Sequence, residues 1–291
     1  MKTFAIALIL AGLTWVRASA QVNVEITSDQ DEFLQGEGVM LAVKITNLSG
    51  QQLQLGTDPS WLTFSVESTD GFNVAKNSEV PVLGAFDLFS SQAATKHVDI
   101  QPYFQLTRTG RYKVTATLHI KDWSVTISSA PKTFDVVTGA KIWSQNYGVP
   151  STTGVPDMRE FTLEKANYLR DQLRLYLQLT DAGETRVYQV VALGPMVSFG
   201  FPEEQVDRNS ELHVLWQTGA QSFSYRVISP YGEVLHRDTY DLFNSRPRLT
   251  VNDNGEVSVV GGVKRVLRSE IPAIQAPDAV PNLPPVPAPA K

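Results

Sequence analysis

Short runs with an apolar residue at every second position constrain the fold of this chain more than any other feature. Val22, Val24 and Ile26 alternate with polar residues, and the same pattern returns from Val39 to Ile45. Because neighbouring side chains of an extended strand point to opposite faces, a period of two predicts strands with one buried face. The chain is therefore predicted to be all-β.

These runs recur about every ten residues through the first half of the chain, with turn residues between them. Further strands are predicted at 64–68 and 113–120, and Asp70-Gly71 predicts a hairpin from the first of these to 72–75. Strands at this spacing are typical of an antiparallel β-sandwich. We predict such a sandwich for residues 21–138.

Two motifs in this half resemble the edges of known sandwiches. The run Phe33-Leu34-Gln35-Gly36-Glu37 and the alternating strand after it are similar to the opening of bacterial immunoglobulin-like modules, and 109–116 (TGRYKVTA) is similar to their closing strand. Over residues 22–137 the chain resembles the BsuPI-like class of these modules, which is named after an intracellular proteinase inhibitor. The resemblance implies an immunoglobulin-like fold in which Tyr112 packs at a corner of the sandwich.

The second half of the chain predicts a series of strand pairs. Their expected bounds are 173–179, 187–193, 212–217, 223–228, 234–240, 248–251 and 256–260. The stretch from Leu212 to Val234 resembles the blades of sialidase-type β-propellers. A closed propeller needs at least four blades, which is more than about 110 residues can hold. We therefore predict an open antiparallel sheet or a small sandwich with blade-like hairpins for residues 158–268.

Two segments are predicted to lie outside the sheets. Residues 139–157 are rich in Gly, Pro, Ser and Thr, which favours a connector between the two domains. Residues 269–291 contain repeated prolines, which neither pair within a sheet nor continue a helix, so this tail is predicted to be disordered and extended. A PxxP-type ligand or a wall-spanning spacer is the functional alternative for the tail.

Residues 1–20 have the features of a signal peptide. Met1-Lys2 supplies a positive start, 4–13 is an apolar run of about ten residues, and Ala18-Ser19-Ala20 supplies the small residues that signal peptidase reads. The run is shorter than the roughly 20 residues of a membrane span. We expect cleavage after Ala20 and a mature chain without a membrane span, with an uncleaved anchor as the alternative.

The chain contains no cysteine. An exported protein without cysteine has no disulfide framework, whereas animal secreted domains usually depend on disulfides. We therefore expect a bacterial protein that is periplasmic or secreted. The formal net charge of −5 argues against nucleic acid as a partner, because binding to phosphates needs a basic surface.

The histidines do not form a recognisable metal-binding or catalytic motif. His97, His119, His213 and His236 do not lie at metal-ligand spacing, and His119 and His213 fall within alternating strands. This position favours a place on a sheet face over a place in a metal site. We predict no metal site at these residues.

Other catalytic motifs are also missing from the sequence. It contains no nucleophile elbow, no phosphate-binding loop and no dinucleotide-binding glycine motif. We predict that the protein is not an enzyme, with no catalytic residue and no cofactor. Asp29, Asp31 and Glu32 crowd one loop, where a calcium site is the alternative to a solvated acidic turn.

Five aromatic residues are candidate binding residues, since exposed and coplanar rings can stack on sugars. They are Trp61, Tyr103, Trp123, Trp143 and Trp216. The alternative is that these rings pack in the cores, which the alternating strand around Trp216 favours. Their exposure decides between the two.

The sequence as a whole favours a binding or structural module that presents sandwich loops or a sheet edge to a protein partner in the cell envelope or outside the cell. A carbohydrate- or matrix-binding accessory protein is one alternative. A proteinase-inhibitor-like module is another, and the segment 77–95 is its candidate loop.

Overall fold

A computed structural model of the protein describes residues 22–149, 154, 156–169 and 172–266. Regular structure within these residues is almost entirely β-strand, which confirms the predicted all-β class. The predicted signal peptide (1–20) and Pro-rich tail (269–291) lie outside the described residues. No helix in the described part of the chain is both long enough and apolar enough to cross a membrane.

The first domain is a sandwich whose strands are short and closely spaced. Their bounds are β1 Val22–Thr27, β2 Glu32–Leu34, β3 Met40–Asn47, β4 Leu53–Leu55, β5 Leu62–Ser68, β6 Phe86–Leu88, β7 Ala93–Asp99, β8 Gly110–Ile120, β9 Val125–Ser128 and β10 Lys132–Val137. Two short 3-10 helices occupy Gln101–Tyr103 and Lys121–Trp123.

Two sheets form this first sandwich. One has the order β1-β3-β7 and the other the order β2-β10-β8-β5, with β9 also paired to β8. Most pairs are antiparallel, whereas β2 lies parallel to β10. The predicted alternation is present, since every second residue of β1 and β3 is buried. Apolar side chains of both sheets meet in one core, including Leu41, Val43, Ile45, Val114, Ala116 and Leu118.

Tyr112 lies near the start of β8, where the resemblance to immunoglobulin-like modules places a corner residue. Its hydroxyl donates a hydrogen bond of 2.7 Å to the backbone oxygen of Arg108. Its ring stacks on Phe134 with the centroids 5.6 Å apart. A tyrosine that bonds to the backbone a few residues upstream is a tyrosine corner, so the predicted place of Tyr112 is confirmed.

The hairpin predicted around Asp70-Gly71 is wrong. The turn is present, but 72–75 is not a strand, and β5 pairs with β8 instead. The chain after the turn bonds elsewhere: the N–H of Gln105 donates to the backbone oxygen of Ala75 at 2.9 Å, and the ring of Phe72 packs edge-on against Tyr112 at 5.7 Å. A turn signal fixes where the chain reverses but does not fix which strand becomes the partner.

The second domain is also a sandwich, and its strands follow one another in sequence order. Their bounds are β11 Ala140–Val149, β12 Asp157–Leu169, β13 Gln172–Asp181, β14 Val187–Pro195, β15 Glu203–Val206, β16 Leu212–Gln217, β17 Ser222–Ile228, β18 Val234–Asp241, β19 Arg248–Val251, β20 Val257–Val260 and β21 Val263–Lys264. The two sheets have the orders β11-β12-β13-β14 and β15-β16-β17-β18-β21.

The facing sides of these two sheets form the main core of the second sandwich, which contains Leu175, Leu177, Leu179, Leu212, Val214 and Trp216. The pair β19–β20 covers the outer side of the five-stranded sheet, where Leu249 and Val259 pack against Leu215 and Tyr225. Of the two forms predicted for this domain, the structure is therefore the small sandwich.

The segment 139–157 is not the connector that its composition predicts, because most of it is a strand. β11 covers Ala140–Val149 and pairs with β12. The strand forms because its aromatic residues have a core to enter: the ring of Tyr147 stacks on Phe161 with the centroids 3.8 Å apart. The Tyr147 hydroxyl also donates a 2.8 Å hydrogen bond to the backbone oxygen of Pro230 in the facing sheet. The two sandwiches are consequently joined by only a few residues.

Candidate functional site

Strand β7 is a free edge of the three-stranded sheet β1-β3-β7. Its residues Ala93–Asp99 pair with β3 in an unbroken register, and no strand of the described chain pairs with its other side. The strand contains no proline. A regular free edge presents a row of unpaired backbone groups, and an extended segment of another chain can add to such a row.

The ladder between β3 and β7 shows which backbone groups are free. The N–H of Ile100 donates to the oxygen of Val39 at 3.1 Å, which continues the register of the two strands. Antiparallel pairs alternate between hydrogen-bonded and non-hydrogen-bonded pairs, so every second residue from Ile100 back to Ala94 is bonded to β3. The N–H and C=O groups of Thr95 and His97 therefore point to the free edge.

Several other sheet edges of the described chain are less open than β7. β11 and β14 each have irregular register with their neighbours, β1 contacts β8 and β9 of the facing sheet, and β15 packs against β19. On β5, the ammonium of Lys76 donates to the backbone oxygen of Phe64 at 3.2 Å. Bulges and covering groups of this kind discourage pairing at an edge, so β7 is better suited than these edges to accept a strand.

Lys96 is the charged residue on the inner side of β7. It lies on the same face of the strand as the buried Val98, and its ammonium is 4.5 Å from the centroid of the Phe86 ring. No carboxylate of the described residues forms an ion pair with it. A lysine here disfavours an apolar strand beside β7 and favours a strand with an acidic side chain opposite it.

A groove crosses the outer face of the same sheet beside β7. It has a volume of about 500 Å³ and is lined by Thr27, Ser28, Asp29, Met40, Leu41, Ala42 and His97. Thr27, Ala42 and His97 are register partners and form a row across the three strands. Met40, at one side of this row, is 47% exposed. The small side chains leave room for the side chains of an added segment.

The groove continues towards the second sandwich. A cleft of about 250 Å³ shares Asp29 and Met40 with it and adds Arg174, Val190 and Ala192 of the second sandwich. We call the two clefts together the junction groove. It runs from His97 on β7 to the edge strand β14, so a segment bound along β7 would meet the second sandwich at one of its ends.

A buried polar network holds the two sandwiches together at this groove. The carboxylate of Glu37 accepts hydrogen bonds from the Gln30 amide at 2.9 Å and from the N–H of Leu34 at 2.8 Å. Arg174 donates to the oxygen of the Gln30 side chain at 2.6 Å, and its guanidinium lies 3.9 Å from the centroid of the Tyr168 ring. Burial raises the pKa of Glu37 above its ordinary value.

Backbone and apolar contacts support the same junction. The N–H of Asp31 donates to the backbone oxygen of Tyr168 across the two sandwiches at 3.2 Å. Leu34 of β2 packs with Ala166 and Tyr176 of the second sandwich in a small buried cluster. Polar and apolar contacts at one place restrict the relative movement of the sandwiches, and the junction groove therefore has a defined shape.

The five aromatic candidates do not form a shared surface. Trp61 and Trp216 are only 3% and 1% exposed, and each donates its indole N–H to a backbone oxygen. Tyr103 and Trp123 are half-buried against the first core, and Trp143 is half-buried against the second. No ring pair in the described chain joins two of the five. Their placement offers no sugar-stacking platform.

The segment 77–95, the candidate inhibitor loop, is mostly exposed and is anchored to the core by a few apolar side chains. Val80 and Val82 are buried in the first core, and the segment then forms β6 and begins β7. Leu83 at its middle is 77% exposed. Phe89 is 52% exposed as well. The segment is therefore an exposed loop fixed at Val80 and Val82, and its role as an inhibitor loop stays a prediction.

The acidic loop that could hold calcium is partly neutralised. Asp31 forms an ion pair of 2.8 Å with Lys132. The pKa of Glu32 is raised by burial and by the neighbouring carboxylates of Asp135 and Asp31. Neither feature brings three carboxylates together around one point, and nothing at this loop favours calcium over a solvated turn.

Sequence reasoning missed one group of side chains. His213 does lie on a sheet face as predicted, but the structure places it beside Asp207 and Glu211, and donor atoms of the three lie within 4.8 Å of one another. The available signal was the turn between β15 and β16, which sets Asp207 opposite Glu211, with His213 two residues further along the same face.

No family model and no curated protein matches this chain. Among solved structures, the crystal structure of the YadV chaperone is similar over 84% of this chain and 100% of that chain, with 8% sequence identity and a TM-score of 0.25. A similarity at this TM-score carries no argument about fold or function. The resemblance of residues 22–137 to the BsuPI-like class therefore stays a prediction.

Proposed function

We propose that this chain is an exported, non-catalytic binding module that adds an extended segment of a partner protein to the free edge of β7. One observation carries the proposal: β7 keeps a regular register with β3 over its whole length, and no described strand bonds to its outer side. The free groups at Thr95 and His97 would supply the backbone hydrogen bonds of an added strand, while neighbouring side chains would select its sequence.

The surroundings of β7 specify the chemistry of the partner segment. Its inward side chains would face Lys96, whose ammonium has no carboxylate partner in the described chain, so an acidic residue fits opposite this lysine. Its outward side chains would lie beside Thr95, His97 and the row of small residues in the groove. The partner is therefore an extended segment with small or apolar residues at alternate positions and an acid on the other face.

A substitution at Thr95 tests the edge without disturbing the fold. Thr95→Pro removes an N–H that points to the free edge, while the bonds between β3 and β7 remain. Thr95→Ala is the matched control because it keeps the N–H. Seven-residue peptides selected from a random library on the full chain should lose about tenfold in affinity on Thr95→Pro, the equivalent of one hydrogen bond, and should keep it on Thr95→Ala.

The same library tests the role of Lys96. The selected peptides should carry Asp or Glu at the position opposite this lysine, and Lys96→Glu should reverse the preference to Lys or Arg. If Lys96 serves only to block edge pairing, Lys96→Ala would make the protein self-associate and no acidic residue would be enriched. Peptides that bind Thr95→Pro as tightly as the native chain would place the binding site elsewhere.

Export is part of the proposal and is supported by the composition of residues 1–20 and by the lack of cysteine. The mature protein should be recovered from the periplasm or the medium of a bacterial host, with Gln21 as its first residue by N-terminal sequencing. A chain that stays in the cytosol and retains Met1 would contradict this part of the proposal and leave the role of β7 untouched.

A further inference from the structure

Three potential metal ligands meet at the turn between β15 and β16. The N–H of Asp207 donates to the backbone oxygen of Glu211 at 3.0 Å, so the two residues lie opposite each other where the strands join. His213 follows Glu211 by two residues, and side chains two apart in a strand point to the same face. The hairpin therefore directs two carboxylates and one imidazole to the same side of the sheet.

The distances between the donor atoms suit a single ion. All three lie within 4.8 Å of one another, and Nε2 of His213 is 3.6 Å from Oδ2 of Asp207. This separation is too long for a hydrogen bond. Around a tetrahedral Zn²⁺ with bonds of about 2.0–2.1 Å, neighbouring donor atoms are roughly 3.3 Å apart. Small rotations of the carboxylates would bring the three donors to that spacing.

His213 is held in an orientation that suits a ligand. The residue is 7% exposed, and its Nε2 is buried without a hydrogen-bond partner among the described residues. Its other ring nitrogen, Nδ1, lies 2.7 Å from the hydroxyl oxygen of Tyr225. If Nδ1–H donates to this oxygen, Nε2 carries a free electron pair directed towards Asp207, which is the arrangement that metal-binding histidines adopt.

The charge of the cluster also favours a cation. The carboxylates of Asp207 and Glu211 repel each other at this distance, and no Lys or Arg of the described chain forms an ion pair with either of them. Oδ1 of Asp207 is fixed by the N–H groups of Asn209 and Glu211, at 2.9 and 2.8 Å. Its Oδ2 atom is the one turned towards His213.

We propose that Asp207, Glu211 and His213 bind a divalent transition-metal ion of the Zn²⁺ class. One imidazole nitrogen with two carboxylate oxygens suits this class, whereas Ca²⁺ and Mg²⁺ prefer oxygen ligands alone. Three protein ligands leave a position for water. The ion ties the β15–β16 turn to the face of the sheet, beneath the hairpin β19–β20.

The experiment is a titration of the metal-free full chain with Zn²⁺, followed by calorimetry and by native mass spectrometry. One ion should bind per chain. Glu211→Gln should weaken the affinity at least tenfold, because it removes a charged ligand from a half-buried side chain. Glu233→Gln is the matched control, since it makes the same charge change in an exposed turn of the same sheet and should alter the affinity less than twofold.

A second measurement reads the histidine directly. The Nε2 resonance of ¹⁵N-labelled His213 should shift on addition of Zn²⁺, and His213→Gln should abolish binding. Because His213→Gln also removes the bond to Tyr225 and can impair folding, Asp207→Asn serves as the second variant: it keeps the acceptor oxygen for the turn and should weaken binding at least tenfold.

Three results would overturn the proposal. They are no binding at micromolar Zn²⁺, binding that Glu211→Gln and Asp207→Asn leave unchanged, and preferential binding of Ca²⁺ with an unshifted His213 resonance. The site lies in the second sandwich and β7 in the first, so peptide binding at β7 and metal binding at the turn succeed or fail separately.

Discussion

The two sandwiches use similar strands but connect them in different ways. In the first sandwich, strands close in sequence are divided between two sheets, so that β1 pairs with β3 and β3 with β7, while β2 pairs with β10. In the second, β11 to β14 form one sheet and β15 to β18 the other, each in chain order. The first sandwich therefore depends on contacts that are distant in sequence, and the second on local hairpins.

This difference in connectivity accounts for the free edge in the first sandwich. In a sheet of consecutive hairpins, the backbone groups of each strand form hydrogen bonds as soon as the next strand is in place. The last strands of such a sheet can be covered by later hairpins such as β19–β20. In the first sandwich, β7 follows the short strand β6, which pairs with β4, and none of the described strands near β7 in sequence pairs with its outer side. From this comparison we predict that a substitution in the core of one sandwich lowers the stability of that sandwich and leaves the other unchanged.

The largest expected effect is on the core of the second sandwich. Trp216 is almost completely buried there and donates to the backbone oxygen of Pro195 at 2.9 Å. Trp216→Ala should lower the free energy of unfolding of the second sandwich by about 3–5 kcal/mol, mainly through the cavity that it leaves. Amide hydrogen exchange should show lost protection from β11 to β18 and preserved protection in β3 and β8.

The matched substitution in the first sandwich is Phe134→Ala, which removes the ring stacked on Tyr112. It should lower the amide protection of β3 and β8 and preserve the protection from β11 to β18. If either substitution lowers the protection of both sandwiches equally, the chain unfolds as one cooperative unit. The different connectivities would then not make the two sandwiches unfold independently.

An intermediate effect is expected at the two tyrosines that bond to backbone oxygens. Tyr112 bonds within one corner of the first sandwich, and Tyr147 joins the two sheets of the second. Burial raises the pKa of both hydroxyls, so each remains protonated and able to donate at neutral pH. Tyr112→Phe and Tyr147→Phe should each cost about 1 kcal/mol, measured as a lower urea midpoint with an unchanged slope.

These tyrosine variants sharpen the comparison. Similar losses of unfolding free energy would mean that the Tyr112 hydrogen bond within one corner and the Tyr147 hydrogen bond between two sheets contribute equally to stability. A much larger loss for Tyr147→Phe, with a changed slope, would show that the local hairpins of the second sandwich depend on this tie for their packing.

The smallest effect concerns Glu37, which lies between the two sandwiches. Because burial raises its pKa, this carboxyl stabilises the folded state below the unfolded pKa and loses that contribution as the pH rises through the folded pKa. Glu37→Gln keeps the shape and does not titrate. The unfolding free energy of the native chain, relative to this variant, should decrease as the pH rises from about 4 to 7.

Urea unfolding of both proteins across this range measures the difference. Glu37→Asp is a useful control, since it keeps a titrating group but shortens the reach to the Leu34 N–H. If the unfolding free energy of the native chain, relative to Glu37→Gln, increases with pH, the hydrogen bonds from Gln30 and Leu34 affect the pKa of Glu37 more than burial does.

Much of the fold could be predicted from the sequence, because alternation is a local property. The strands around Val22, Val39 and Leu212 lie where the period of two indicated them, and the corner at Tyr112 agrees with its motif. Strand partners were harder to predict, since pairing depends on residues far apart in the chain. The Asp70-Gly71 turn illustrates this, because the residues after the turn bond to residues 103–105 rather than to β5.

The candidate sites were less predictable than the fold. The free groups of Thr95 and His97 depend on the register with β3, which no local pattern shows. The neighbourhood of Asp207, Glu211 and His213 depends on a five-residue turn and on the ring of Tyr225, which lies a further strand away. At 139–157 the Gly, Pro, Ser and Thr content favoured a connector, whereas most of the segment is the strand β11.

The place of β7 relative to the second sandwich gives any added strand a direction. Asp99 pairs with Met40, which also lines the cleft beside Val190, so β7 runs towards the second sandwich. A segment that adds antiparallel to β7 would start near the second sandwich and run away from it, over about 24 Å for seven residues. Its N-terminal extension would touch β14, whereas a parallel segment would bring its C-terminal extension there, so the molecule distinguishes the two ends of its ligand.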